Sequence, residues 1–226
     1  MVDLVAVQAS PGLYVDSDWP CGTQSILSAL DARDYLGLGR YVPLPGYENS
    51  TGDITSLELQ SICARPTCNR VWLVQHPRNP GWDPTRENPE LDAKVAVARA
   101  RGVSYAQGAH LFVDLEGFGA EVTGPQVIAY AARWQHVVIA EGYRAGAYVG
   151  YAVRASASDL YELLPGDCYW SAFNLGAFVV AKRGYAIKQQ STITVAGVGF
   201  DPNRVAPDEL GGMPWMCGPA PVLAAA

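Results

Sequence analysis

Two carboxylates one residue apart, Asp114 and Glu116, close an apolar run, Leu111-Phe112-Val113, and two glycines, Gly117 and Gly119, follow them. Residues i and i+2 of an extended chain point to the same side, roughly 6.6 Å apart along the strand. Two carboxyl groups held that close in a partly buried site cannot both ionise easily. One pKa rises, and a proton stays available near neutral pH. A protonated acid beside an ionised carboxylate is the equipment needed to hydrolyse a glycosidic bond. A single acid at a strand end serves equally well as a cap for the next helix. The reading depends on whether other acids fall at equivalent points.

The elements that must carry these acids can be read from periodicity. Strands are expected over residues 13–16, 39–43, 71–75, 111–114, 145–151, 168–173, 186–190 and 195–200. Helices are expected over 23–35, from 55 onward, and over 89–101, 125–141 and 156–164. The segment 125–141 repeats Val127, Tyr130, Ala131, Trp134 and Val138 at helical spacing, which makes Trp134 a core residue. Thr55 with Glu58 three residues on has the pattern of a capping box.

This alternation predicts an α/β chain with a parallel sheet and helical crossovers. About eight strands in one domain favour a single (β/α)8 TIM-type barrel, with the last helices shortened or missing, over an open doubly wound sheet. Gly37-Leu38-Gly39 lacks a third glycine and precedes a strand, so it is not a dinucleotide fingerprint. One domain is expected over residues 1–226, with its core at about 12–205 and a C-terminal tail over 206–226.

In such a barrel, reacting groups belong at the C-terminal ends of strands. Asp16 ends the first expected strand, Asp114 and Glu116 the fourth, and Asp201 the last. These four are the candidate catalytic residues, with Asp18 competing for the role of Asp16. Tyrosine and tryptophan pair a flat apolar face with a polar handle, which suits a wet sugar groove. Tyr41, Tyr148 and Trp170 are the candidate sugar contacts, and Trp72 reads equally as barrel interior.

The order of these pieces resembles the family 25 glycoside hydrolases, which are lysozymes. It resembles more closely the related glycoside-hydrolase-like group known as domain of unknown function 1906. The motifs that carry the resemblance are Tyr14-Val15-Asp16-Ser17, Gly39-Arg40-Tyr41, Thr55-Ser56-Leu57-Glu58 and Asp114-Leu115-Glu116. Gln189 or Gln190 and then Asp201-Pro202-Asn203 complete it. The resemblance implies a lysozyme-like hydrolase of N-acetylated cell-wall glycan. Glu116 would be the general acid, and Asp114 would orient the substrate's N-acetyl group or stabilise the oxocarbenium-like transition state. Asp16 and Asp201 would tune the pair, with Gln189 and Asn203 as further substrate contacts. The rival reading is a glycan-binding or structural module that keeps the barrel without turnover.

Composition narrows the partners. The 226 residues are 49% hydrophobic and 17% charged, with a net charge of −6 and no basic run. That composition excludes a disordered chain and disfavours nucleic acid or an anionic membrane as partner. No apolar stretch reaches the roughly 18 residues of a membrane helix. The start, MVDLVAVQASPGLY, lacks the basic and apolar regions of a secretory signal, so synthesis in the cytoplasm is expected. Access to a cell wall would then need release, as for a phage lysin, or delivery, as for an effector. Five cysteines and three scattered histidines give no ligand spacing, so neither metal nor cofactor is expected. The cysteines read as ordinary thiols, with a Cys63–Cys68 disulfide as the alternative. The expected partner is a polysaccharide, bound by a monomer.

Overall fold

The computed structural model describes residues 1–47 and 52–221. In chain order the strands are β1 (Leu4–Gln8), β2 (Gly12–Asp16), β3 (Gly37–Val42), β4 (Arg70–Gln75), β5 (His110–Leu115) and β6 (Arg144–Val149). They continue as β7 (Cys168–Ser171), β8 (Ile187–Gln189), β9 (Ile193–Val195), β10 (Val198–Val205) and β11 (Trp215–Pro219). From β2 to β8 each strand pairs parallel with the next. The ring closes through β10, which pairs antiparallel with both β8 and β2.

Among the described residues five α-helices fill the first five crossovers: α1 (Gln24–Asp31), α2 (Ser56–Cys63), α3 (Pro89–Gly102), α4 (Gly124–Ala140) and α5 (Ala157–Leu163). The barrel is therefore closed and eight-stranded, but strand-rich. The regular strand–helix alternation of a complete (β/α)8 barrel ends after α5. The expected strand over 195–200 is instead the tip of a hairpin. Ala196 (φ 50°) and Gly197 (φ 83°) are both left-handed, as a two-residue hairpin turn between β9 and β10 requires.

Two strands lie outside the stretch 12–205 expected to hold the core. β1 and β11 pair antiparallel along five residues, and Cys217 of β11 faces Val71 of β4. His110 Nδ1, at the start of β5, accepts from Trp215 N at 2.8 Å, so β11 docks against the N-terminal ends of β4 and β5. Residues 206–221 are thus partly structural, while 222–226 of the expected tail lie outside the described residues.

Two apolar layers result. One lies between barrel and helices and contains Leu73, Leu111, Val113, Val127 and Trp134. Trp134 sits there as its spacing predicts, fully buried, donating to Gln75 Oε1 at 2.7 Å. The other fills the barrel with Tyr14, Trp72, Phe112, Tyr148, Trp170 and Ile187. Trp170 is the hub of this interior, with Trp72, Phe112 and Tyr148 set edge-on around it at 4.6–6.0 Å. Gly39 makes room for it, since a Cβ there would lie 2.5 Å from the Trp72 ring and 2.8 Å from Asp16 Cβ. The five cysteines are free thiols and all buried, so the alternative Cys63–Cys68 disulfide is not formed. No helix among the described residues is long and apolar enough to cross a membrane.

Candidate active site

Side chains alternate along a strand, so residues in phase with the barrel-filling set also face inward. Asp16 is in phase with Tyr14, Asp114 and Glu116 with Phe112, Gln189 with Ile187, and Asp201 and Asn203 with Val205. The parallel strands bring Asp16, Tyr41, Asp114, Tyr148 and Gln189 to one mouth. Asp201 arrives there differently. It lies inside β10 rather than at its end, and it faces Asp16 in register because β10 runs the other way.

Asp16 and Asp201 share one hydrogen-bond network. Asn203 Nδ2 donates to Asp16 Oδ2 at 2.6 Å, and Gln189 Nε2 reaches both Asp16 Oδ2 at 3.3 Å and Asp201 Oδ2 at 3.2 Å. Tyr41 Oη lies 3.5 Å from Asp16 Oδ1. Gln189 Oε1 accepts from Tyr148 Oη at 3.1 Å, and Trp170 Nε1 donates to Asn203 Oδ1 at 2.8 Å. Gln189 and Asn203 therefore spend their amides on the protein and hold the carboxylates in place. Trp170, fully buried, is part of the floor rather than a surface a sugar could reach. Asp18, the competitor of Asp16, is exposed on the rim.

Burial pushes Asp16 from the ordinary 3.8 up to about 7; the Asn203 hydrogen bond opposes this and Asp201 adds to it. The native state then holds a proton that the unfolded chain has lost. Stability from this group is complete below pH 3.8 and disappears as pH rises through about 7. Asn at position 16 can accept from Asn203 and Gln189 through its oxygen while never ionising. We therefore expect Asp16→Asn to raise the melting temperature at pH 8 and leave it nearly unchanged at pH 4. Equal shifts at both pH values would refute the assignment.

Asp114 and Glu116 sit beside this network. Asp114 is 9% exposed, and its Oδ1 has no hydrogen-bond partner. Burial first, then the neighbouring Glu116 carboxylate, holds Asp114 well above the ordinary 3.8. Glu116 is half-buried, and that burial raises it above 4.5. The loop after β4 is tied to the segment that carries Glu116. Trp82 Nε1 donates to Glu116 O at 2.7 Å, Gly81 N donates to Gly117 O at 2.7 Å, and the Trp82 ring lies 4.3 Å from Phe118. The Pro- and Asn-rich stretch after His76 is thus sewn onto the segment carrying the acids.

A buried ion pair missed as such in the sequence holds the Asp16 side of the mouth. Arg40 Nε donates to Glu58 Oε1 at 2.8 Å, with Arg40 fully buried and Glu58 5% exposed. The Arg40 guanidinium also donates to Ser17 O and Gly52 O, and Glu58 Oε1 accepts from Cys21 N at 2.7 Å. Thr55 caps α2 as its spacing predicts, accepting from Glu58 N at 3.2 Å. The Glu58 side chain does not complete the box; it turns inward to Arg40. The two motifs Gly39-Arg40-Tyr41 and Thr55-x-x-Glu58 are one structural device. Next to it, Tyr41 stacks on His76 at 4.8 Å, and His76 Nε2 lies 2.9 Å from buried Asp53.

Two clefts open at this end. One of about 300 Å³ is lined by Asp16, Asp18, Trp19, Tyr41 and Asp201, and one of about 490 Å³ by Tyr47, Arg78, Trp82 and Glu87. They meet at His76 and Pro77. Asp114 and Glu116 line neither cleft. Among the described residues no cluster of three or more His, Cys, Asp or Glu is arranged to hold a metal ion.

A closed barrel with acids gathered at the C-terminal ends of its parallel strands has the architecture of a glycoside-hydrolase-like domain. The family model described as the Rv2525c-like, glycoside hydrolase-like domain matches residues 28–205, and the chain belongs to that family. Asp16 precedes the matched stretch. Three solved structures share the fold. An uncharacterized B. stearothermophilus protein is 18% identical, with TM-score 0.64, covering 89% of this chain and 99% of its own. The Mycobacterium tuberculosis Tat-secreted protein Rv2525c, in complex with HEPES, is 15% identical, with TM-score 0.64 and coverage of 90% and 99%. The catalytic domain of endolysin ply40 from bacteriophage P40 of Listeria monocytogenes is 16% identical, with TM-score 0.59 and coverage of 88% and 95%. At these identities the likeness is one of fold. No curated protein matches the chain.

Proposed function

We propose that the protein is a lysozyme-like glycoside hydrolase that cleaves N-acetylated glycan of the peptidoglycan type. The observation that carries this reading is the Asp114–Glu116 pair: two adjacent carboxyls both raised by burial, one of them with an oxygen left unbonded. A buried carboxylate oxygen without a partner is costly, and a substrate donor would relieve that cost. Glu116, the more accessible of the two, protonates the leaving glycosidic oxygen. Asp114 accepts from the substrate's N-acetyl N–H and turns the acetamide oxygen toward the anomeric carbon, or else stabilises positive charge there. Asp16 and Asp201 hold the sugar from the opposite wall. Fold likeness to an endolysin catalytic domain favours cell-wall glycan among possible substrates.

The test is reducing-end release from purified peptidoglycan, wild type beside Glu116→Gln, across about pH 4 to 8. No release by the wild type from peptidoglycan or chitin would move the protein to the binding-module class. A second variant probes placement. A Cβ at Gly150 would lie 2.3 Å from Glu116 Cβ and 2.4 Å from its Oε2. Gly150→Ala must push the acid aside, and misplacement by about 1 Å costs on the order of 10²-fold in rate. Unchanged turnover in folded Gly150→Ala would remove Glu116 from the chemistry.

A further inference from the structure

Four aromatic side chains are exposed among the described residues: Trp19 at 66%, Tyr47 at 66%, Tyr151 at 41% and Phe173 at 62%. Single exposed apolar residues are ordinary on any surface. Their distribution here is uneven. Exposed aliphatics such as Leu57, Leu91, Ile139 and Leu163 dot the outer faces of α2 to α5. Every exposed aromatic lies instead in a segment leaving the C-terminal end of a barrel strand: Trp19 after β2, Tyr47 after β3, Tyr151 after β6 and Phe173 after β7.

In the ring, β2 and β3 are neighbours, β6 and β7 are neighbours, and β4 and β5 separate the two pairs on one side. The aromatics therefore leave opposite sides of the mouth in two pairs, two candidate platforms with the end of β5 that carries Asp114 and Glu116 on the arc between them. Three have a backbone anchored by a hydrogen bond to a site residue or its neighbour. Trp19 N donates to Ser17 Oγ at 3.2 Å, Gly117 N donates to Tyr151 O at 2.8 Å, and Phe173 N donates to Gln189 Oε1 at 3.3 Å. A backbone anchored before a ligand arrives lowers the cost of ordering the rings it carries.

We infer that the two platforms bind a polymeric glycan laid across the mouth, each stacking on sugars to one side of the acids. The inference rests on the proposed function and adds the residues that select a long chain over a short one. A flat apolar ring flanked by hydrogen-bonding carboxylates matches a pyranose, which offers one apolar face and a hydroxyl edge.

The test is co-sedimentation with insoluble purified peptidoglycan, using Glu116→Gln as parent so that bound chains are not cut. A soluble trimer of N-acetylglucosamine is the short probe. Trp19→Ala and Phe173→Ala, each in that parent, are expected to weaken sacculus binding about tenfold and trimer binding less than threefold. Trp19→Tyr, which keeps a ring, should restore binding, and thermal melts establish that each variant folds. A parent that binds sacculi as tightly as both alanine variants overturns the platforms and leaves the proposed function intact. A parent that binds neither probe overturns both.

Discussion

Glutamine at position 116 is expected to lower reducing-end release about 10²- to 10⁴-fold, the range a positioned general acid contributes. The replacement keeps the shape and hydrogen bonding of Glu116 and removes only the transferable proton, so the fold should be unaltered. The wild-type pH profile carries the signature of the pair. Two carboxyls that share a buried site lose protons in two steps that belong to both. Activity rises with the first loss, which leaves the pair one charge and one proton. It falls with the second, which removes the acid. Burial raises both groups, so both limbs should lie above the ordinary 3.8 and 4.5. Asp114→Asn should erase the rising limb and leave a single fall. A Glu116→Gln variant within threefold of wild type would end the assignment of this acid.

Alanine at position 58 is expected to cost about 3–5 kcal/mol, because it leaves the fully buried Arg40 charge without its partner. Cys21 N loses its acceptor in the same change. For a domain of this size each kcal/mol lowers the melting temperature by about 2–4 °C, so a fall of roughly 10 °C is expected. Glu58→Gln keeps an acceptor for both donors and should lose less. Binding should suffer with stability, since Arg40 also holds Ser17 O, one residue from Asp16. A Glu58→Ala protein that melts with the wild type would show that the pair is not a structural anchor.

Much of the barrel is legible in local pattern. Parallel strands such as Val71-Trp72-Leu73-Val74 are apolar throughout because helices cover one face and the barrel interior the other. The same property hides which face is which, and for this reason Trp170 reads as a sugar contact when it is the hub of the floor. The acids were findable because a strand that ends in carboxylates breaks its own apolar run. Arg40 and Glu58 were visible as motifs, yet nothing local says that a residue of β3 meets one of α2 with both charges buried. β1 and β11 were missed for another reason. Each is a short strand near an end of the chain, β11 follows Pro214 and itself ends in Gly218-Pro219, and their pairing joins residues more than two hundred positions apart. Trp19 lies in a loop, where no period marks it, and Phe173 lies just past β7, though the expected strand ran through it.

The reversed strand β10 has a consequence for how the molecule comes into being. All five helices belong to the stretch before Cys168, and they can gather on β2 to β6 as that stretch leaves the ribosome. Asp114 and Glu116 are then already side by side. Asp16 is not yet held, because its shortest bond comes from Asn203, 187 positions later. Until β10 slides between β8 and β2, the nascent barrel is an open sheet whose two raw edges are available to other chains. The strand that completes the carboxylate network is thus the same one that seals the protein against aggregation, and assembly of the site coincides with the end of that exposure.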